Sequence, residues 1–221
     1  MNANQPRFDW KVIAFIVFLY ALWFVRSPVL AAFESALPPL AYELSVPLTK
    51  ILCWIVPVWL YLRFVDNVPS TTALKLDHNV RRGVAWGFAI PAAHLVIVLL
   101  LHYVARLDLI HVTLAVDVWT WISVIGLAGL TEEIVFRGFI LPKLMTRWSF
   151  WIANAVTTVL FVVMHIPYWA RLHYTPTPLA LAMLVGFSLL WGWSYKRSGS
   201  LWSAILAHTL YDLISVLLLI G

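Results

Sequence analysis

Charge is scarce in this chain. Only 11% of its 221 residues are Asp, Glu, Lys or Arg, against about 25% in a soluble domain, while 62% are hydrophobic. A soluble core cannot hide that much apolar surface, so lipid is the solvent for most of the chain. No hydrophilic stretch is long enough to fold by itself, and we read one membrane domain over residues 1–221, with its chemistry-bearing core at about 118–221. Cysteine is almost lacking. Cys53 alone cannot form an internal disulfide, and in an apolar run with no neighbouring base it reads as a small buried hydrophobe rather than a nucleophile. Nucleotide-binding glycine loops, internal repeats and low-complexity tracts are missing too. The net charge of +5 does not point to nucleic acid, because the basic residues are scattered between apolar runs, as membrane topology requires.

What the chain does have is seven apolar runs of about 20 residues, the length that spans a bilayer. They run from about Trp10 to Val25 (or past Pro28), Val46 to Leu62, Val84 to Val104, Val118 to Phe139, Trp148 to Tyr168, Pro178 to Tyr195 and Leu201 to Ile220. The expected fold is an all-α, polytopic transmembrane bundle of seven spans. Pro38-Pro39, the segment Asp66 to Arg82 and Thr175 to Pro178 punctuate the gaps, and tryptophans such as Trp10, Trp148 and Trp202 fall near run ends, where an aromatic belt is expected. The first run has a positive start but no clean cleavage site, and reads as an uncleaved anchor.

With the N-terminus in the cytoplasm, Arg7, Lys11, Arg63, Lys75, Arg81, Arg82, Lys143, Arg147, Lys196 and Arg197 all fall inside. The other side receives only Arg26, Lys50, Arg106 and Arg171. That bias sets the orientation, and a re-entrant piece near Ala31 to Leu48 would spoil it. Lys50, near a span end, is expected to snorkel to the interface.

Ionisable groups inside a span are costly and mark function by default. Glu133 and Arg137 are four apart, acid first, and can neutralise each other on one helix face. Glu132 points about 100° away and has no partner in its own helix, so it is a candidate general base. The plainer alternative ends the span at Glu132-Glu133, with Arg137 snorkelling. In the fifth run Phe161 and His165 share a face, and His165 alone would read as a packing histidine. In the seventh, His208 and Asp212 are four apart, and the carboxylate can fix the imidazole tautomer; the alternative is interhelical glue. His94 and His102 lack partners at helical spacing, while His78, His111 and His173 fall in loops.

Glu132-Glu133-x-x-x-Arg137, Phe161-x-x-x-His165 and His208-x-x-x-Asp212 resemble, in order and spacing, the motifs of the CPBP family: the CAAX prenyl proteases, bacteriocin-processing enzymes and Abi proteins. The likeness spans about Leu130 to Ile214. It implies an intramembrane endopeptidase of the glutamic type acting on a membrane-associated protein or peptide. Glu132 would activate water with help from His165, and His208 with Asp212 would stabilise the oxyanion. Glu133 and Arg137 would support the site, and Phe161 would shape the pocket. The prenyl-protease branch ends its last motif in Asn, so Asp212 is read as orienting His208, which then serves as donor. No cofactor or metal is expected. Zinc is the alternative, since two histidines and a glutamate are a known zinc set, although no His-Glu-x-x-His helix is present.

Other function classes give the same chain different roles: a non-proteolytic immunity or self-protection protein, or a small proton-coupled transporter using Glu132, His165 and Asp212 as a relay. The compact loops favour a bacterial inner membrane and a substrate other than a CAAX protein, reached from the cytoplasm or the bilayer. One placement is awkward. With these spans Glu132 lies toward the cytoplasmic side and His165 toward the outer side, so Gly138 to Ser149 must dip into the bilayer or the helices must tilt.

Overall fold

A computed structural model describes residues 9–113 and 115–219. Arg7 and Ile220, which enter the charge count and the last run, lie outside the described residues. Every regular element among those described is helical. We number them α1 Trp10–Ala36, α2 Pro39–Phe64, α3 Ser70–Ala73, α4 Val80–Tyr103, α5 at 118–145, α6 Phe150–Val163, α7 Ile166–Arg171, α8 Pro178–Ser198 and α9 Trp202–Ile214. Five helical stretches are long and apolar enough to cross a membrane: 10–34, 39–64, 80–103, 150–171 and 178–198. With α5 and the shorter α9, seven helical segments correspond to the seven runs, and the chain is an all-α, polytopic membrane bundle.

Several boundaries differ from the sequence reading, each for a local reason. Helix α1 continues through Pro28 to Ala36, and α2 starts at Pro39 rather than near Val46. Proline at the first helical position loses only an N–H that has no partner anyway, so Pro39 opens the helix instead of marking a loop. No re-entrant piece intervenes. Helix α5 runs beyond Phe139 to Met145, with π-helical turns at Trp121–Gly126 and Ile134–Ile140. Pro142, which has no N–H to donate, follows two residues after the second of these.

The fifth run is broken. Pro167 removes the hydrogen bond that Val163 O would accept, so α6 ends at Val163 and α7 restarts at Ile166, with His165 in the break. Helix α1 braces it. Tyr20, Trp23 and Ser27, on one face, donate to the carbonyls of Leu160, Met164 and Pro167, the second at 2.7 Å and the third at 3.3 Å.

The longer α5 removes the awkward placement. Glu132 lies 13 residues before Met145, or ~20 Å along a helix, and His165 lies 15 residues beyond Phe150, or ~22 Å. Measured from their shared turn, the two sit at the same depth without any dip of Gly138 to Ser149. Helix α9 starts deeper. Its N-terminal turn rests on the 65–79 segment, where Leu201 N donates to Lys75 O at 3.2 Å and Trp202 Nε1 to Leu76 O at 2.8 Å. His208 is thereby brought level with Glu132.

Close approach of α5 to α9 depends on Gly129. A Cβ there would lie 2.9 Å from Thr209 N and 3.0 Å from Ile205 O. Both are backbone atoms and cannot swing aside. Gly129→Ala is therefore expected to destabilise the bundle by ~1–3 kcal/mol and to push Glu132 away from His208. Detergent unfolding monitored by tryptophan fluorescence measures the first effect, and an unchanged unfolding midpoint would contradict this packing.

Candidate active site

The two adjacent glutamates have different surroundings. Glu133 and Arg137 are fully buried. Arg137 Nη1 donates to Glu133 Oε1 at 2.8 Å, and its Nη2 donates to Ser188 O at 2.7 Å and Ser188 Oγ at 2.6 Å. Ser188 Oγ in turn lies 3.0 Å from Thr158 Oγ1. The guanidinium is also 4.9 Å from the Phe161 ring and 5.5 Å from that of Trp191. One cation thus ties α5, α6 and α8 together. The span does not end at Glu132-Glu133, and Arg137 does not snorkel.

Glu132 does have a partner, from another helix. Lys50 Nζ on α2 lies 2.9 Å from Glu132 Oε1, with both residues buried. Lys50 therefore points inward instead of reaching for the interface. Its position was readable as a cation inside an apolar helix, but which carboxylate it meets depends on packing between segments 82 residues apart.

His208 stands between the carboxylates. Its Nδ1 is 2.9 Å from Glu133 Oε1, while Nε2 faces Asp212 Oδ2 at 3.5 Å and Glu132 Oε2 at 4.0 Å. The group that grips the ring is Glu133, with the longer contact going to Asp212. Trp191 stacks on the imidazole with centroids 4.0 Å apart and planes 16° apart. Nothing in the motif spacing pointed to Trp191. A tryptophan in the middle of a span, away from the aromatic belts, was the available signal.

His165 Nδ1 lies 2.9 Å from Phe161 O. A neutral ring donating from Nδ1 keeps the Nε2 lone pair free. Phe161 itself is fully buried behind the site, wedged among Phe136, Arg137, His165, Trp191 and His208.

Glu132, His165, His208 and Asp212 all line one cavity of about 270 Å3, together with Lys50, Arg26 and Arg171. Its walls come from the second half of α1, the first halves of α2 and α5, the break at His165 with α7, and α9. By chain direction this is the half of the bundle near the 37–38 and 172–177 turns, away from the N-terminus. Outside the spans, Asp117 caps the start of α5. Hydrogen bonds from the Thr120 hydroxyl and from the amides of Thr120 and Trp119 hold its carboxyl below the usual range.

Among the described residues no group of three or more His, Cys, Asp or Glu side chains is arranged to hold a metal ion.

A family model described as type II CAAX prenyl endopeptidase, Rce1-like, matches residues 114–214. No curated protein and no solved structure matches. The matched stretch carries Glu132, Glu133, Arg137, Phe161, His165, His208 and Asp212 and omits Lys50. Over these residues, a little under half of the chain, it is similar to the type II CAAX prenyl endopeptidases.

Proposed function

We propose that this protein is an endopeptidase of the glutamic type that hydrolyses a peptide bond of a membrane-associated protein or peptide. The observation that carries this reading is the convergence of Glu132, His165 and the His208–Asp212 pair, from three helical segments, on one buried cavity. Glu132 accepts a proton from a water, with His165 Nε2 as the second acceptor that aims it. The water oxygen bonds to the scissile carbonyl carbon, and the oxyanion so formed is met by His208. When the C–N bond breaks, the proton held by Glu132 passes to the leaving amine. Lys50 keeps Glu132 charged and oriented between turnovers. Glu133 and Trp191 hold the His208 ring, one at its edge and one on its face. No step calls for a metal.

The basic bias favours a cytoplasmic N-terminus, and the compact loops favour a bacterial inner membrane. With that orientation the cavity belongs to the outer half of the bilayer, which leaves access from the bilayer and not from the cytoplasm.

The test compares new peptide N-termini in membranes that carry the wild type or Glu132→Gln. Termini that vanish in the variant support a protease and identify its substrates. Identical termini, with both proteins folded and equally abundant, overturn the reading and favour a non-catalytic binding protein. A second comparison separates the residues of the last motif. Because Glu133 already holds Nδ1 of His208, Asp212→Asn is expected to keep activity within about tenfold of wild type, while His208→Ala loses 10²-fold or more, on the order of one lost oxyanion donor. Rates on a purified substrate read this directly, and equal losses would refute the division of roles.

A further inference from the structure

Three of the four cations on the cation-poor side of the bundle, Arg26, Lys50 and Arg171, line the cavity that holds Glu132, leaving only Arg106 elsewhere. Two of the three are neutralised. Lys50 pairs with Glu132, and Arg171 pairs with Glu34 at 2.6 Å. Arg26 has no carboxylate at ion-pair distance among the described residues. It is nevertheless held in place. Its Nε donates to Thr49 Oγ1 at 3.0 Å, its Nη2 to Val46 O at 2.8 Å, and its guanidinium lies 4.7 Å from the ring of Trp23. Trp23 is itself fixed to Met164 O. A half-buried guanidinium that is anchored on one edge, backed by an aromatic ring and short of an anion is a preorganised binding fork.

We infer that Arg26 is an anion subsite for the substrate, taking a peptide carboxylate into the cavity whose inner wall carries Glu132. The depth suits a short segment. Val46, where Arg26 is anchored, lies four residues before Lys50 on α2, or ~6 Å along the helix, a span of about two extended residues. The space between is walled by Trp23, Leu30, Ala128 and Met164, which favour an apolar side chain beside the carboxylate. A whole phospholipid does not suit a cavity of about 270 Å3, which lies below the ~300–1,000 Å3 of common ligand pockets. The carboxylate can be the chain terminus or an Asp or Glu side chain, and both make the same fork contact. The subsite rests on reading this cavity as the substrate site and adds the polarity with which substrate enters: carboxylate toward Arg26, scissile bond toward Glu132.

The test is a binding measurement, so that it stands apart from the cleavage experiment. Full-length Glu132→Gln protein in phosphatidylcholine nanodiscs is titrated against N-dansyl-tri-leucine with a free carboxylate, against its C-terminal amide, and against N-dansyl-Leu-Asp-Leu amide, read by fluorescence anisotropy. The free acid is expected to bind about tenfold or more tighter than the tri-leucine amide, and Arg26→Gln is expected to abolish the difference. Thr49→Val, which removes only the Nε anchor, should reduce it and covers the case of an Arg26 variant that does not fold. If the Asp peptide matches the acid, the side chain is an equal source of the anion; if it matches the tri-leucine amide, the chain terminus is the source. Equal binding of acid and amide by the parent protein, including no binding of either, overturns the subsite. So does loss of discrimination when the discs contain phosphatidylglycerol, which would assign Arg26 to a lipid headgroup. Discrimination without any Glu132-dependent cleavage would keep the subsite and reject the protease.

Discussion

Glu132→Gln is expected to lower turnover of a purified substrate by about 10²–10⁴-fold, the range for removal of a general base, while the protein still folds, at some cost in stability because buried Lys50 loses its counter-charge. The reason lies in what the amide keeps. Gln still presents an oxygen to Lys50 Nζ, which sits 2.9 Å from Glu132 Oε1, so the ammonium retains a hydrogen-bond acceptor. What is lost is the basic oxygen facing the cavity and His208 Nε2. Glu133→Gln, one residue away, should behave differently. Glu133 lines no part of the cavity; it holds Arg137 and His208. Its replacement should lower stability and activity together. Rates and unfolding midpoints measured on the same preparations separate the two patterns. A Glu132→Gln enzyme with more than about a tenth of wild-type turnover would remove Glu132 from the general-base role.

Which parts of this architecture the sequence disclosed follows from the range over which each feature is set. Helix existence and the pairing of Glu133 with Arg137 are local, fixed by apolar run length and by i,i+4 spacing, and both were legible. The break at His165 could have been read from Pro167 alone, since a proline inside a helix frees the carbonyl four residues earlier. The extension of α5 to Met145 was harder to see. Lys143 and Pro142 look like an interface and a stop, but Lys143 is neutralised by Asp66 at 2.7 Å from a loop distant in sequence, and Pro142 is absorbed after a π-helical turn. Contacts across the bundle were not legible. Lys50 with Glu132, Trp191 on His208 and Arg26 without a carboxylate each depend on helices brought together by packing. Even so, the charge count held an unused clue. Cations that defy the topological bias must be retained for another reason, and here three of four meet in the cavity.

Arg137→Met is expected to be the most damaging single change to stability, costing about 3–5 kcal/mol, because it leaves Glu133 as a buried charge without its counter-ion. The guanidinium is fully buried, bonded to Glu133 and to both oxygens of Ser188, and sandwiched by Phe161 and Trp191. Its removal strands Ser188 O and loosens α8 against α5. Trp191, on the same helix, then loses part of the support that keeps it flat on His208, so activity falls as well. Unfolding in mixed detergent measures the loss, and the double variant Arg137→Met with Glu133→Leu identifies its cause. Replacing both charges by apolar groups removes the uncompensated carboxylate, so stability should return to within about 1–2 kcal/mol of wild type. Activity should not return with it, because His208 Nδ1 would have lost the acceptor that orients the ring. A double variant as unstable as Arg137→Met alone would show that packing around the guanidinium, rather than the buried charge, sets the cost. Recovery of activity alongside stability would show that Trp191 and Asp212 suffice to hold His208. The expected split assigns the Glu133–Arg137 pair two separable tasks: joining three helices, and setting the ring that faces Glu132.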